Sequence, residues 1–172
     1  MLDWYETVFE LIDMRSFSNL WYWIALAVVW STSSHFVLGV PWDLVQRARR
    51  NGGDAEDDLR DMVRVNVNRL LYITDMSGLW LIAFAFFAHS SLVILGFAYG
   101  SEFSQALFLL AGPLTVVMGL RVVCARGIRA ADGEGLYERL GRHRFITQVI
   151  GMLSIFVTAL WGMLQNLSIG AI

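Results

Sequence analysis

Two histidines stand in otherwise apolar runs, each beside hydroxyl residues, in Ser31-Thr32-Ser33-Ser34-His35 and in His89-Ser90-Ser91. A haem iron commonly takes axial imidazoles from neighbouring helices, so His35 and His89 are the candidate metal ligands. Depth argues against a shared iron. If both runs are helices, His35 lies about 22 Å from the start of its run and His89 about 12 Å from the end of its own, ends that helix alternation puts on one side. A mismatch of about 10 Å is hard for two ligands of one metal ion. The cluster of Ser31, Ser34, His35, His89 and Ser90 is expected instead to hydrogen-bond between helices, as polar groups at membrane depth do. The alternative is a polar path for a small transporter or channel, and the haem protein is a second alternative.

Other chemistry is not visible. No acidic residue falls near the middle of an apolar run, where a proton-coupled carrier needs one. There is no phosphate loop, nucleophile elbow, zinc spacing or dinucleotide fingerprint. The single cysteine, Cys124, can form no internal disulfide and reads as a small buried apolar residue. The expectation is therefore a chain with no enzymatic activity, no cofactor and no nucleic-acid partner. Two lines of small residues do stand out: Thr147, Gly151, Ser154, Thr158 and Gly162 in the last apolar run, and Ala111, Thr115 and Gly119 in the third. Small residues at intervals of three or four let helix backbones approach closely, either within one bundle or against another protein's membrane helix.

The elements that must carry these residues follow from hydropathy. Of the 172 residues, 56% are hydrophobic and 16% charged, and the mean hydropathy is +0.54. Soluble domains hold roughly 45–50% apolar and about 25% charged residues, so a soluble enzyme, a disordered tail, a collagen-like fibre and a disulfide-stapled domain are excluded. Apolar runs at residues 20–40, 78–97, 103–123 and 145–164 each approach the roughly 20 residues that cross a hydrocarbon core about 30 Å thick. The expected fold is all-α: an integral membrane four-helix bundle in one domain. Pro41 closes the first run. Pro113 should kink the third, with a neighbouring helix taking the carbonyl it frees. The connection at 98–102 is so short that spans two and three must be antiparallel neighbours.

Charge sets the orientation. All thirteen basic residues are arginine, for which an arginine-favouring genome is as good an account as guanidinium chemistry. Eleven fall in the connections 41–77 and 124–144, Arg121 stands at the end of the third run beside the second of them, and only Arg15 precedes the first span. Short arginine-rich loops stay inside, so both connections are expected in the cytoplasm and both termini in the periplasm of a bacterial inner membrane. Residues 2–14 place Leu2, Tyr5, Phe9 and Ile12 opposite acids at helical spacing. This reads as a helix on the membrane surface, not a signal peptide, which would open with basic residues.

The first connection reads as a helical hairpin turning at Asn51-Gly52-Gly53, with Asp54 as a cap and an apolar stripe of Leu59, Met62, Val63, Val67 and Leu70. The stripe must bury against the other arm or against a partner. Arg47, Arg49, Arg50, Arg126, Arg129, Arg142 and Arg144 are the candidate contacts to anionic lipid headgroups or to a cytoplasmic protein partner.

Four stretches carry a resemblance: 8–23 (VFELIDMRSFSNLWYW), 39–43 (GVPWD), 65–69 (VNVNR) and 156–163 (FVTALWGM). In these the chain resembles a family of small alphaproteobacterial membrane proteins described as components of the SufBCD complex, the iron–sulfur cluster assembly scaffold. The resemblance implies a membrane tether or accessory of that machinery, because one interfacial cysteine is no cluster site. A non-catalytic inner-membrane accessory or anchoring protein is thus the expected function. Reporter fusions are expected to place both chain ends outside the cell and the connections 41–77 and 124–144 inside; either end reporting from the cytoplasm would overturn the orientation.

Overall fold

A computed structural model describes residues 16–169. The surface helix expected at residues 2–14 lies outside the described residues, as does Arg15. Five α-helices follow one another: α1 Leu20–His35, α2 Trp42–Asn51, α3 Asp54–Val93, α4 Glu102–Ala130 and α5 Leu136–Ile169. A 3-10 turn, Ser16–Ser18, precedes α1, and a π-helical turn, Ile94–Ala98, closes α3.

The first apolar run departs from the single span expected over 20–40. It is helical only to His35, after which β1 (Phe36–Val37) and β2 (Val40–Pro41) pair antiparallel, Phe36 opposite Pro41 and Val37 opposite Val40. Leu38 and Gly39 make the turn with φ of 52° and 78°, the left-handed pair a tight hairpin requires. Glycine adopts this readily; Leu38 is held there because its side chain, with Val37 and Val40, is buried in a core described below. The 16 residues of α1 are about 24 Å long, short of the hydrocarbon thickness.

Three helices are long and apolar enough to cross a membrane: α3 with its π turn (Asp54–Ala98), α4 (Glu102–Ala130) and α5 up to Leu167. Their apolar windows are only 6%, 6% and 28% buried within the chain. Leu79, Trp80, Phe84, Phe86 and Phe87 are each at least 70% exposed. Such a surface suits lipid and not water.

The order of contacts shows how the helices lie. α3 and α4 are antiparallel, with Phe97 against Phe108 near their connection and Asp75 beside Arg126 and Arg129 at the far end. α1 runs with α4: the Tyr22 hydroxyl donates to Ala106 O at 3.0 Å at one end, and Arg121 Nη2 donates to Phe36 O at 3.4 Å at the other. It runs against α5, from Ser18 on Asn166 (2.8 Å) to Arg144 on Ser34 O (3.2 Å). Short as it is, α1 with its flanking residues therefore lies alongside the stretch of α4 from Ala106 to Arg121 and the stretch of α5 from Arg144 to Asn166.

The two small-residue lines have different surroundings. On α5, Thr147, Gly151, Ser154, Thr158 and Gly162 are all buried within the chain. Trp30 lies on Gly151, so close that a Cβ there would stand 2.7 Å from its ring, and Phe17 lies on Gly162. On α4, Ala111 is half-buried, while Thr115 and Gly119 are exposed and a Cβ on Gly119 would meet nothing within 4 Å. Ser154 also settles the proline kink. Pro113 lacks the N–H that would bond Leu109 O, and the Ser154 hydroxyl donates to that carbonyl at 3.3 Å instead.

Because Trp30 is 3% exposed and cannot swing away, Gly151→Ala is expected to cost about 1–3 kcal/mol, as overpacking does. Gly119→Ala should stay within about 0.5 kcal/mol of the parent. Thermal unfolding in detergent followed by circular dichroism checks the contrast, and equal losses would contradict it.

Candidate functional site

The connections expected at 41–77 and 124–144 fold together into one head. α3 presents Leu59, Val63, Val67 and Leu71 at four-residue spacing. They pack against Val45 and Ala48 of α2, Ala125 and Ile128 of α4, Leu136 and Leu140 of α5, and the hairpin residues Val37, Leu38 and Val40. Met62, expected in the stripe, is 41% exposed, and Leu70 is only partly buried. The stripe is thus covered from within the chain, and anything docking on the head meets the polar surface around it. Two boundaries differ from expectation. Gly53 and not Asp54 holds the cap position of α3, with no side-chain cap bond, because Gly52 and Gly53 take the positive φ values that reverse the chain. The last helix also begins earlier than the apolar run at 145–164, at Leu136, so the end of the connection 124–144 forms the first turns of α5.

Arginines ring this core, sorted by flank. On the α3 side all but Arg69 meet an acid: Arg47 on Asp58 (4.0 Å), Arg60 on Glu56 (2.8 Å), Arg64 on Asp61 (3.0 Å), and Arg126 and Arg129 on Asp75 (3.8 and 3.9 Å). These pairs are exposed, so each contributes at most about 1 kcal/mol. Among the described residues, Arg49, Arg50, Arg142 and Arg144 have no carboxylate within ion-pair distance. Arg144 instead donates from Nε to Ser34 O and places its guanidinium 4.5 Å from the centre of the Trp42 ring. With Arg121 on Phe36 O it supplies positive charge and donors where α1 ends and carbonyls are left over.

The polar cluster expected inside the membrane is not brought together at one point. Ser31 is exposed and Ser34 half-buried; His35 is the last residue of α1, with Nε2 3.7 Å from Asp43 Oδ1 in α2. His89 belongs to the seam between α3 and α4. Its Nδ1 donates to Ala85 O at 2.7 Å, Nε2 lies 3.4 Å from the Thr115 hydroxyl, and its ring meets Phe108 edge-on. Ser90, one residue on, is exposed. The two imidazoles have different partners on different helices, and no group of three metal-binding side chains occurs among the described residues.

One polar node had no counterpart in the sequence reading. Gln105 is 5% exposed; its Nε2 donates to Gly96 O at 2.8 Å, and its Oε1 accepts from Trp161 Nε1 (2.9 Å) and Gln165 Nε2 (3.1 Å). It ties α3, α4 and α5 at the end remote from the head. The available signal was a glutamine three residues into an apolar run, nine residues after a glycine.

A cavity of about 220 Å³ beneath the head is lined by Cys124, Gly127, Arg139, Arg142 and His143, among others. Burial raises the Cys124 thiol pKa, although Arg139 and Arg142 pull it the other way, so the thiol stays protonated. His143 is buried; desolvation, with the Arg121 charge adding, holds its pKa below the ordinary imidazole value. No family model, curated protein or solved structure matches the chain.

The depressed His143 pKa makes stability pH-dependent. Below an imidazole's ordinary pKa of about 6.5 the unfolded chain takes up a proton that the folded chain resists. Stability is full above that value and falls as pH drops toward the folded pKa. His143→Gln is expected to flatten this part of the profile. Melting temperatures in detergent between neutral and mildly acidic pH test it, and parallel curves for parent and variant would refute the assignment.

Proposed function

We propose that the chain is a non-catalytic accessory or anchoring protein of a bacterial inner membrane, crossing it four times with its arginine-ringed head in the cytoplasm. One observation carries the reading, the division of the molecule into two parts of opposite character. An apolar half has three helices of spanning length, with large side chains turned outward. The other half is a separately packed head with exposed arginines and its own core. Twelve of the thirteen arginines, Arg15 excepted, belong to the head or its boundary with the apolar half, which supports a cytoplasmic head and periplasmic termini. α1 counts as the fourth crossing because both of its ends are bonded to the matching levels of α4 and α5.

Accessory work fits these groups better than chemistry does. The histidines are separated and the one thiol is protonated. Most of the hydrogen-bonded side chains of the apolar half hold helices together. The partner proposed is the iron–sulfur cluster assembly scaffold to which the sequence resemblance points, with this chain as its membrane tether and not as a cluster site.

Affinity purification in mild detergent with mass spectrometry tests the proposal. Scaffold subunits are expected to be enriched over an identically tagged, unrelated membrane protein; repeated recovery of the bare chain would defeat it.

A further inference from the structure

The two arginine flanks differ in more than pairing. Between α2 and the start of α5 runs an open groove of about 400 Å³, lined by Trp42, Val45, Gln46, Arg49, Arg50 and Tyr137. No carboxylate lines it. Arg49 and Arg50 are exposed and, among the described residues, have no acid within ion-pair distance. The one acid with a resolved electrostatic effect on Tyr137 is Glu56, which is already held by Arg60. Burial and Glu56 raise the Tyr137 pKa against Arg60 and Arg49, so the phenol remains a hydrogen-bond donor. Gln46 adds an amide. Every polar group on the groove wall can therefore donate to an anion.

Position narrows the anion. Trp42 opens α2 directly after the hairpin at the end of α1, level with Arg144, at the edge of the apolar half. Arg49 and Arg50 lie two turns further along α2, about 10–12 Å away. The groove thus extends from the hydrocarbon boundary across the headgroup layer, which adds about 5–7 Å on each side of a bilayer core. Its lower wall is aromatic and its upper rim cationic, the order in which a phospholipid presents its glycerol region and its phosphate.

We propose that the α2–α5 groove binds one anionic phospholipid, with the phosphate on Arg49 and Arg50 and the glycerol region against Trp42. The proposal rests on the membrane reading above. An acidic peptide would satisfy the rim equally, but it has no use for a groove whose floor opens at the hydrocarbon edge. The Asp75 carboxylate makes the α3–α4 flank a matched control, because Arg126 and Arg129 there are already engaged and do not line the groove.

The full chain, purified in detergent and stripped of lipid, is titrated with phosphatidylglycerol or phosphatidylcholine and read by native mass spectrometry. One tightly held phosphatidylglycerol and no tightly held phosphatidylcholine are expected. Arg49→Ala with Arg50→Ala should weaken retention about tenfold or more, as two headgroup-contacting arginines would. Arg126→Ala with Arg129→Ala should leave it unchanged, and circular dichroism checks that both variants keep their helices. Equal loss in both variants would reduce the effect to general surface charge and overturn the site. Displacement of the lipid by inorganic phosphate or by a polyglutamate peptide at comparable concentration would also overturn it, in favour of a free anion or a peptide. Recovery of the chain in the soluble fraction without detergent would bring down the membrane reading itself. Membrane retention with equal binding of both lipids would remove only the groove assignment.

Discussion

Every backbone carbonyl that an irregular helix releases inside the apolar half would be an expense in a membrane, because no water would be there to bond it. Among the described residues three such irregularities stand out, and each is met by a side chain from a neighbouring helix. Where α1 stops early, Arg144 and Arg121 donate to Ser34 O and Phe36 O. Where Pro113 breaks the ladder of α4, Ser154 donates to Leu109 O. Where α3 loosens into a π turn, Gln105 donates to Gly96 O. Lipid offers little hydrophobic drive for helices to associate, so these directed bonds, together with close packing, fix which helices are neighbours and at what level.

Packing follows from the same placement. Ser154 can reach Leu109 only if α5 lies close to α4, and Trp30 can lie on Gly151 only if α1 comes close to α5. Both approaches use the small residues of α5. The small residues of α4 have the same spacing but are not covered by α1 or α5: Ala111 is half-buried, Thr115 meets His89 of α3 from an exposed position and Gly119 is open, since that helix turns Ala106, Leu110, Leu114 and Val117 the other way. Spacing reports that a helix has a smooth side. It does not report which side the neighbours occupy.

Much of the architecture was legible because it depends on long-wavelength properties of the chain. Apolar run length gave three of the helices, and arginine density located the head. The continuity of the hairpin's second arm with span two was readable from the lack of any proline between Asp54 and Val93. Short-range features were less readable. His35 was judged by its depth in a helix running to Val40, whereas burial of Val37, Leu38 and Val40 in the head ends that helix at His35 itself. Gln105 passed as an ordinary residue near a span end, because its value lies in the Gly96 carbonyl at the end of a neighbouring helix, where carbonyls are left over. The apolar stripe on α3 left two coverings open, and the fold of α4 and α5 over it could not be read from α3 alone.

The all-arginine composition gains a physical side from this. An arginine-favouring genome is one account of the absence of lysine, but Arg144 does two things at once that suit a guanidinium better than an ammonium. Its Nε bonds a carbonyl at the end of α1, while the same planar group lies 4.5 Å from the centre of the Trp42 ring. A guanidinium divides its five donors among directions fixed by its plane and is weakly hydrated enough to sit at an aromatic wall. A lysine in its place would keep the charge and lose the second contact. The end of α1 would then keep its bond to α5 but be held to α2 only by the hairpin and by His35 beside Asp43, and the boundary between the apolar half and the head is where that three-way junction matters.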